Sequence, residues 1–129
     1  MTRRDFLKLV GLFSIPWTAK LYASEPNTMR VIATAYCPCR ICCGRHADGK
    51  TATGRSAWLA GVAVDPSAIP LGLHLDIPGY NRGPNKNGSW IRADDTGSAI
   101  KGNIIDVRFK THQEAVQWGR KSITVRIWR

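Results

Sequence analysis

Short stretches of alternating apolar and polar residues, separated by turns rich in glycine and proline, most constrain the fold of this chain. In "NIIDVRF", Ile105, Val107 and Phe109 fall on one face of a strand, and Asp106 and Arg108 fall on the other. Such alternation is typical of a half-buried β-strand. Similar stretches lie at 29–36, 60–65, 73–77, 89–94 and 122–128. About six short strands in roughly 100 residues predict an all-β fold, and their spacing alone fits a small closed barrel or a sandwich.

One short helix is predicted between the last two strands. Thr111 can cap its N-terminus, and Glu114, three residues later, can reach back to complete a capping box. Gly119 then provides a stop signal at the C-terminal end. The region before the second strand is instead a cysteine-rich loop.

Residues 1–23 are predicted to be an export signal, which leaves 24–129 as one mature domain. A basic start precedes an apolar run over 9–17, and Ala23 marks the expected cleavage point. The segment "TRRDFLK" also resembles a twin-arginine signal. The apolar run is too short for a membrane span and no cysteine lies near the cleavage point, so no membrane anchor is expected after cleavage. The mature protein is expected in the periplasm, the cell envelope or the medium, as a monomer.

The charge of the chain indicates an anionic partner. Its 19 Lys and Arg residues outnumber nine Asp and Glu, giving a formal net charge of +10. An exported basic protein meets peptidoglycan stems, wall polymers and lipid head groups. The basic residues are scattered without a run of five, so no nucleic-acid partner is expected.

Three of the nine acidic residues lie close together in "IRADDTGSAIKGNIIDVRF". Asp95 sits at the turn after one strand and Asp106 lies within the next, so a chain reversal over 96–102 could bring them together across a strand pair. Of two neighbouring carboxyl groups, one then keeps its proton near neutral pH and can protonate a glycosidic oxygen. Asp94 is interpreted as a solvated neighbour. In the alternative without catalysis, Asp95 only accepts hydrogen bonds from turn amides, and Asp106 faces solvent.

Four segments, "TATG", "GVAVDPSAIPLG", "ADDTGSAIKGNIIDV" and "EAVQWGRKSITVRI", resemble the 3D domain family, named for three aspartates. That family is related to the catalytic barrel of MltA-type lytic transglycosylases and to RlpA-like barrels. The resemblance implies a six-stranded double-psi β-barrel. It also implies cleavage of the MurNAc–GlcNAc β-1,4 bond in peptidoglycan glycan strands, giving 1,6-anhydro products, with no metal or organic cofactor.

The resemblance also implies roles for individual residues. Asp106 would be the general acid and base, Asp95 its close partner and Asp65 the third member of the cluster. The residues expected to contact substrate are Thr53, Gly54, Lys101 and Gly102. Trp90, beside a long polar loop, is the candidate for stacking on a sugar face. Two rival interpretations remain: a non-catalytic wall-binding barrel, and an aspartic protease suggested by Asp-Thr-Gly.

The segment "YCPCRICCG" places Cys37, Cys39, Cys42 and Cys43 within seven residues. An even number of cysteines in an exported chain favours disulfides, whose pairing the sequence does not decide. Four thiolates around zinc are one alternative, and free or redox-active thiols are another. His112 lies in the first turn of the predicted helix, and no catalytic role is expected for it.

Overall fold

The computed structural model describes residues 27–82 and 88–129. The predicted export signal, residues 1–23, lies outside them. All six predicted strands are present: β1 Asn27–Tyr36, β2 Val62–Ala63, β3 His74–Asp76, β4 Ile91–Asp95, β5 Ile104–Arg108 and β6 Lys121–Trp128. Among the described residues, no helix has both the length and the apolar character needed to cross a membrane.

The six strands form a closed barrel in the order β1-β5-β2-β4-β3-β6. The β1–β5 and β2–β4 pairs are parallel, and the other four pairs are antiparallel. This mixed barrel confirms the predicted all-β barrel and excludes the sandwich. Because closure pairs every strand on both sides, the barrel leaves no free sheet edge.

The position of β2 corrects one premise of the sequence analysis. The strands that carry Asp95 and Asp106 were expected to pair directly, but β2 lies between them. Ala63 of β2 is the register partner of Asp95 on one side and of Asp106 on the other. The two carboxylates are therefore brought together across an intervening strand rather than across a hairpin.

Buried apolar side chains from every strand form a single core. They include Val31, Ala33, Val62, Leu75, Ile91, Ile105, Val107, Val125 and Ile127. Removing such side chains from water is the main favourable contribution to folding. The alternation seen in the sequence thus reports which face of each strand is turned toward this core.

The predicted helix is confirmed as α2, His112–Trp118, and a second short helix, α1, spans Arg40–Cys43. Thr111 and Glu114 make the full capping box at the start of α2. Trp118 anchors the other end, because its indole Nε1 donates a 3.2 Å hydrogen bond to the Ala33 carbonyl. The cysteine-rich loop was not expected to be helical. It forms α1 followed by a 3₁₀ turn, Gly44–His46.

Candidate functional site

A cleft of about 290 Å³ lies beside the ends of β1, β2 and β4. The last residue of each of these strands contributes to its wall: Tyr36, Ala63 and Asp95. Asp106 of β5 also lines it. The cleft therefore contains the two carboxylates that the sequence analysis paired, together with a phenol.

Asp106 is a partly buried acid in this cleft. Its Oδ1 accepts a 2.8 Å hydrogen bond from the Thr34 hydroxyl on the neighbouring strand β1. Burial raises the pKa of Asp106 to about 6; the bond from Thr34 opposes this rise, and the charge of Asp95 adds to it. A carboxylic acid with this pKa can both give and take a proton near neutral pH.

Asp95 is held in place by three hydrogen-bond donors. The Tyr36 hydroxyl donates to Oδ2 at 2.6 Å, and the backbone N–H groups of Ala52 and Thr96 both donate to Oδ1 at 2.9 Å. Two of these donors lie in different parts of the chain from β4, so the tertiary fold fixes the orientation of this carboxylate. Its position beside Asp106 is therefore preorganised.

Behind Asp95, a buried ion pair supports the wall of the cleft. Arg108 binds both oxygens of Asp94, at 2.9 and 2.7 Å, and both side chains are fully buried. Arg108 also donates to the Tyr36 hydroxyl at 3.0 Å and to the Leu59 carbonyl at 2.9 Å. The network thus connects Asp94 through Arg108 and Tyr36 to Asp95. Bidentate Arg–carboxylate pairs of this kind are geometrically specific.

This network corrects one interpretation made from the sequence, because Asp94 is fully buried and not a solvated neighbour. Arg108, on the strand face opposite the predicted apolar residues, is fully buried as well. Each polar side chain is tolerated inside because its charge is paired and hydrogen-bonded. Gly61 leaves room for the pair, since a β-carbon there would clash with the Arg108 guanidinium and the Asp94 carboxylate.

Comparison with known proteins identifies the family. The model of the 3D domain matches residues 60–129, which is more than half of the chain. The chain belongs to the 3D domain family. The matched segment contains the five strands β2–β6 and all three aspartates of the family motif.

Two relatives from Bacillus subtilis (strain 168) are similar to this 3D-domain chain. YabE, which is named as a candidate cell wall shaping protein, is 38% identical over 105 residues, covering 81% of this chain and 24% of YabE. The cell wall-binding protein YocH is 39% identical over 83 residues, covering 61% of this chain and 26% of YocH. The chain thus spans about a quarter of the length of these curated relatives.

A solved structure of MltA from E. coli also matches. It is 28% identical, the match covers 62% of this chain and 27% of MltA, and the TM-score is 0.46.

Asp65, the first aspartate of the 3D motif, does not line the cleft of Asp95 and Asp106. Its carboxylate accepts from Ser67, through the backbone N–H at 3.1 Å and the hydroxyl at 2.8 Å, and from the Gly102 N–H at 2.8 Å. These hydrogen bonds lower the pKa of Asp65, and the bond from Gly102 has the largest effect. Asp65 therefore ties the turn after β2 to the loop before β5. Gly102 and the exposed Lys101 share that loop and also lie outside the cleft lining.

The "TATG" turn supports Asp95 rather than lining the cleft. Thr53 donates its hydroxyl to the Asp94 carbonyl at 3.0 Å, and Gly54 closes the turn with a backbone bond to Thr51 at φ +88°. This turn presents the Ala52 N–H to Asp95. Thr53 and Gly54, predicted to bind substrate, are thus placed to position a carboxylate.

Trp90, the predicted sugar platform, lies on another face of the barrel. Its ring packs edge-on against His74 and Trp128, and it borders a separate shallow groove with Arg55 and Arg92. Trp90 does not line the cleft of the two carboxylates, and the groove is linked to that cleft only indirectly, because Arg55 also donates to Oδ2 of the buried Asp94 at 2.5 Å.

Sequence reasoning missed Thr34 and Tyr36, which hold Asp106 and Asp95. Both lie in "ATAY", where they alternate with the core residue Ala33 and the half-buried Ala35. Polar residues on the opposite face of a core strand were the available signal. Asp106 is 72 residues from Thr34 and Asp95 is 59 residues from Tyr36, so the sequence could not identify what they contact.

All four cysteines are free thiols in the structure, which therefore does not support the predicted disulfides. The sulfur atoms of Cys37, Cys39 and Cys42 converge with the imidazole of His112, and this group of side chains could hold a metal ion.

Proposed function

We propose that this 3D-domain protein is a lytic transglycosylase of the cell envelope that cleaves the MurNAc–GlcNAc β-1,4 bond of peptidoglycan. The observation that carries the proposal is the Asp106 carboxyl, with its pKa raised to about 6, in one cleft with Asp95. A protonated carboxyl beside a second carboxylate is the arrangement that glycosidic bond cleavage uses.

In the proposed reaction, Asp106 first protonates the oxygen that bridges the two sugars. The bond from this oxygen to the anomeric carbon of MurNAc then breaks. Asp106, now ionised, takes the proton of the C6 hydroxyl of the same MurNAc. That oxygen attacks the anomeric carbon and closes a 1,6-anhydro ring, and Asp106 is again protonated. One residue thus serves as acid and then as base.

Asp95 has a separate role in the proposal. Its three hydrogen bonds hold a carboxylate near the place where positive charge develops at the sugar carbon. Its charge also helps to keep the pKa of Asp106 raised. The Tyr36 hydroxyl positions Asp95 and stays protonated, because burial raises its pKa.

Membership of the 3D family supports a substrate in the cell wall, and so do the names of YabE and YocH. Without residues 1–23, 15 Lys and Arg residues face eight Asp and Glu, and this net charge of +7 favours binding to an anionic wall polymer. We therefore propose peptidoglycan glycan strands as the partner and an exported location for the protein, consistent with the predicted signal over 1–23. Asp65, Thr53, Gly54, Lys101 and Gly102 are proposed to position the site rather than to enter the chemistry.

A non-catalytic wall-binding barrel is the second candidate, and the name of YocH favours it. In that case the same cleft would hold a glycan without cleaving it. The two candidates differ in one measurable product, the 1,6-anhydro sugar.

The test is to incubate the protein with purified sacculi and to measure soluble 1,6-anhydromuropeptides by mass spectrometry. We expect product from the wild type and at least a hundredfold less from Asp106→Asn. Asp76→Asn is the matched control, because Asp76 lies on β3 and pairs with Arg126, outside the cleft. Binding to sacculi with no anhydro product would support the wall-binding alternative. Equal rates for wild type and Asp106→Asn would overturn the assignment of Asp106.

A further inference from the structure

We propose that Cys37, Cys39, Cys42 and His112 bind one zinc ion, which forms a structural site beside the cleft. The three sulfur atoms and a ring nitrogen of His112 all lie within 4.8 Å of one another. Cys37 is buried, and the other three are half-buried. Three thiolates and one imidazole are a ligand set that zinc takes in closed tetrahedral sites.

The barrel topology brings these distant residues together. Strands β1 and β5 are parallel, and their last residues, Tyr36 and Arg108, are register partners. The segments that leave the two strands therefore emerge side by side, and the Phe109 N–H donates to the Tyr36 carbonyl at 2.8 Å. The cysteines follow β1 and His112 follows β5. The ligands thus come from two neighbouring segments, one that follows β1 and one that follows β5.

Local structure then fixes the side chains. Cys39 is the N-cap residue of α1, and its carbonyl accepts from the Cys43 N–H at 2.9 Å. His112 is the first residue of α2, directly after the Thr111 cap. Three of the four ligands are therefore fixed by helical segments, Cys39 and Cys42 by α1 and His112 by the first turn of α2.

The distances between the ligand atoms fit a tetrahedral ion. Tetrahedral bonds of about 2.3 Å to sulfur and about 2.0 Å to nitrogen separate a sulfur from the nitrogen by roughly 3.5 Å and two sulfurs by roughly 3.8 Å. The Nδ1 atom of His112 lies 3.4, 3.8 and 4.0 Å from the sulfurs of Cys42, Cys39 and Cys37. The Cys37–Cys42 sulfur distance is 3.4 Å. The Cys37–Cys39 distance is 2.8 Å, and it would have to widen by about 1 Å around the ion.

Cys43 is excluded from the ligand set by its orientation. Its thiol donates to the Cys37 carbonyl at 3.3 Å and is not part of the convergent group. Two disulfides would need all four sulfurs, whereas the structure brings together only three with a histidine. The geometry thus favours a three-cysteine, one-histidine site over the disulfide alternative.

Binding would displace three thiol protons to solvent and leave the zinc complex with one negative charge. Because four protein ligands fill the tetrahedron, the ion would have no open position for a catalytic water. Its effect would be to join α1 to α2. Tyr36, Cys42 and Cys43 also line the cleft, so the ion would stiffen that wall.

The first experiment measures metal content in the full-length protein. We expect about one zinc per chain, by mass spectrometry of the metal, for wild type and for Cys43→Ser. We expect less than a tenth of that in Cys39→Ser and in His112→Ala. Cys43→Ser is the matched control, because it removes a thiol from the same loop without removing a ligand. Equal loss of zinc in Cys43→Ser and Cys39→Ser would overturn the ligand assignment.

A second measurement does not depend on the folding of a variant. Cobalt added to the metal-free wild-type protein should give the absorption of a tetrahedral ion with three thiolates, and zinc should abolish it. Absorption that corresponds to four thiolates would contradict the role of His112. A purified wild type that contains no zinc, gains no cobalt absorption and has no reactive thiols after denaturation would show disulfides and overturn the site.

Discussion

The hydroxyl of Tyr36 donates a 2.6 Å hydrogen bond to Oδ2 of Asp95 and so connects the end of β1 to the end of β4. The hydroxyl oxygen of Tyr36 also accepts a 3.0 Å hydrogen bond from Arg108. Tyr36 therefore contacts both the buried Arg108–Asp94 pair and the Asp95 carboxylate, so the pair helps to fix where Asp95 lies. A neutral phenol is suited to this task, and burial raises the pKa of Tyr36.

The substitution Tyr36→Phe should weaken the proposed transglycosylase activity about tenfold or more, because Asp95 loses one of its three donors. The free energy of unfolding should fall by about 1–2 kcal/mol, since a buried Arg108 donor also loses its acceptor. Anhydro-product release and urea unfolding would measure the two effects. Tyr80→Phe is the control: its hydroxyl binds the Arg108 carbonyl away from the cleft, so it should lower stability without a comparable loss of activity.

Because burial raises the pKa of Asp106, the free energy of unfolding should fall as the pH rises. This pKa is 3.8 before folding and about 6 in the fold, so the folded state binds more protons between these values. The stabilisation is complete below about pH 4 and is lost as pH passes about 6. At about 1.4 kcal/mol per pKa unit, the loss is about 3 kcal/mol.

The check is to compare Asp106→Asn with wild type by urea unfolding between about pH 4 and pH 8. The asparagine does not titrate, so the variant should gain about 3 kcal/mol relative to wild type over this range. A difference that stays constant with pH would show that burial does not perturb Asp106.

The substitution Asp94→Asn should destabilise the barrel by about 3–5 kcal/mol, because it leaves the Arg108 charge buried without its bidentate partner. Asp95 lies 4.0 Å from Arg108 and cannot replace that geometry. Asp76→Asn, which breaks a surface pair with the exposed Arg126, should cost less than about 1 kcal/mol. If chemical unfolding gave the same loss of free energy of unfolding for both variants, the buried Asp94–Arg108 pair would not be a major contributor to stability.

The substitution Asp65→Asn tests whether Asp65 takes part in the proposed reaction or only positions the segments around the site. Asp65 bonds the Gly102 N–H and Ser67 outside the cleft, so we expect anhydro-product release to stay within about tenfold of wild type. Asp106→Asn should lose at least a hundredfold in the same assay. If the two variants were equally inactive, Asp65 would belong with the catalytic residues.

Several features were predictable from short segments. The alternation in 122–128 predicted β6, and Thr111 with Glu114 predicted the start of α2, because each pattern concerns residues that are neighbours in the chain. The pairing of Asp95 with Asp106 was also foreseen, but for the wrong reason. A hairpin was expected, whereas Ala63 of β2 lies between the two strands.

Other features could not be predicted from any segment. Asp94 looks like a surface residue in "RADDTG", and it is buried only because Arg108 reaches it from another strand. His112 looks like an ordinary helix residue, and it joins the cysteines only because β1 and β5 are parallel neighbours. Both contacts depend on the order of strands in the barrel.

The sequence by itself determined which segments form strands, where α2 begins, and that the chain belongs with the 3D domain. The tertiary structure alone decided which polar side chains are buried and which residues share a cleft. The physical reason is that alternation and capping act between chain neighbours, whereas barrel closure selects strand partners far apart in the chain. Only closure could place Asp95 and Asp106 on either side of Ala63, with Tyr36 beside them.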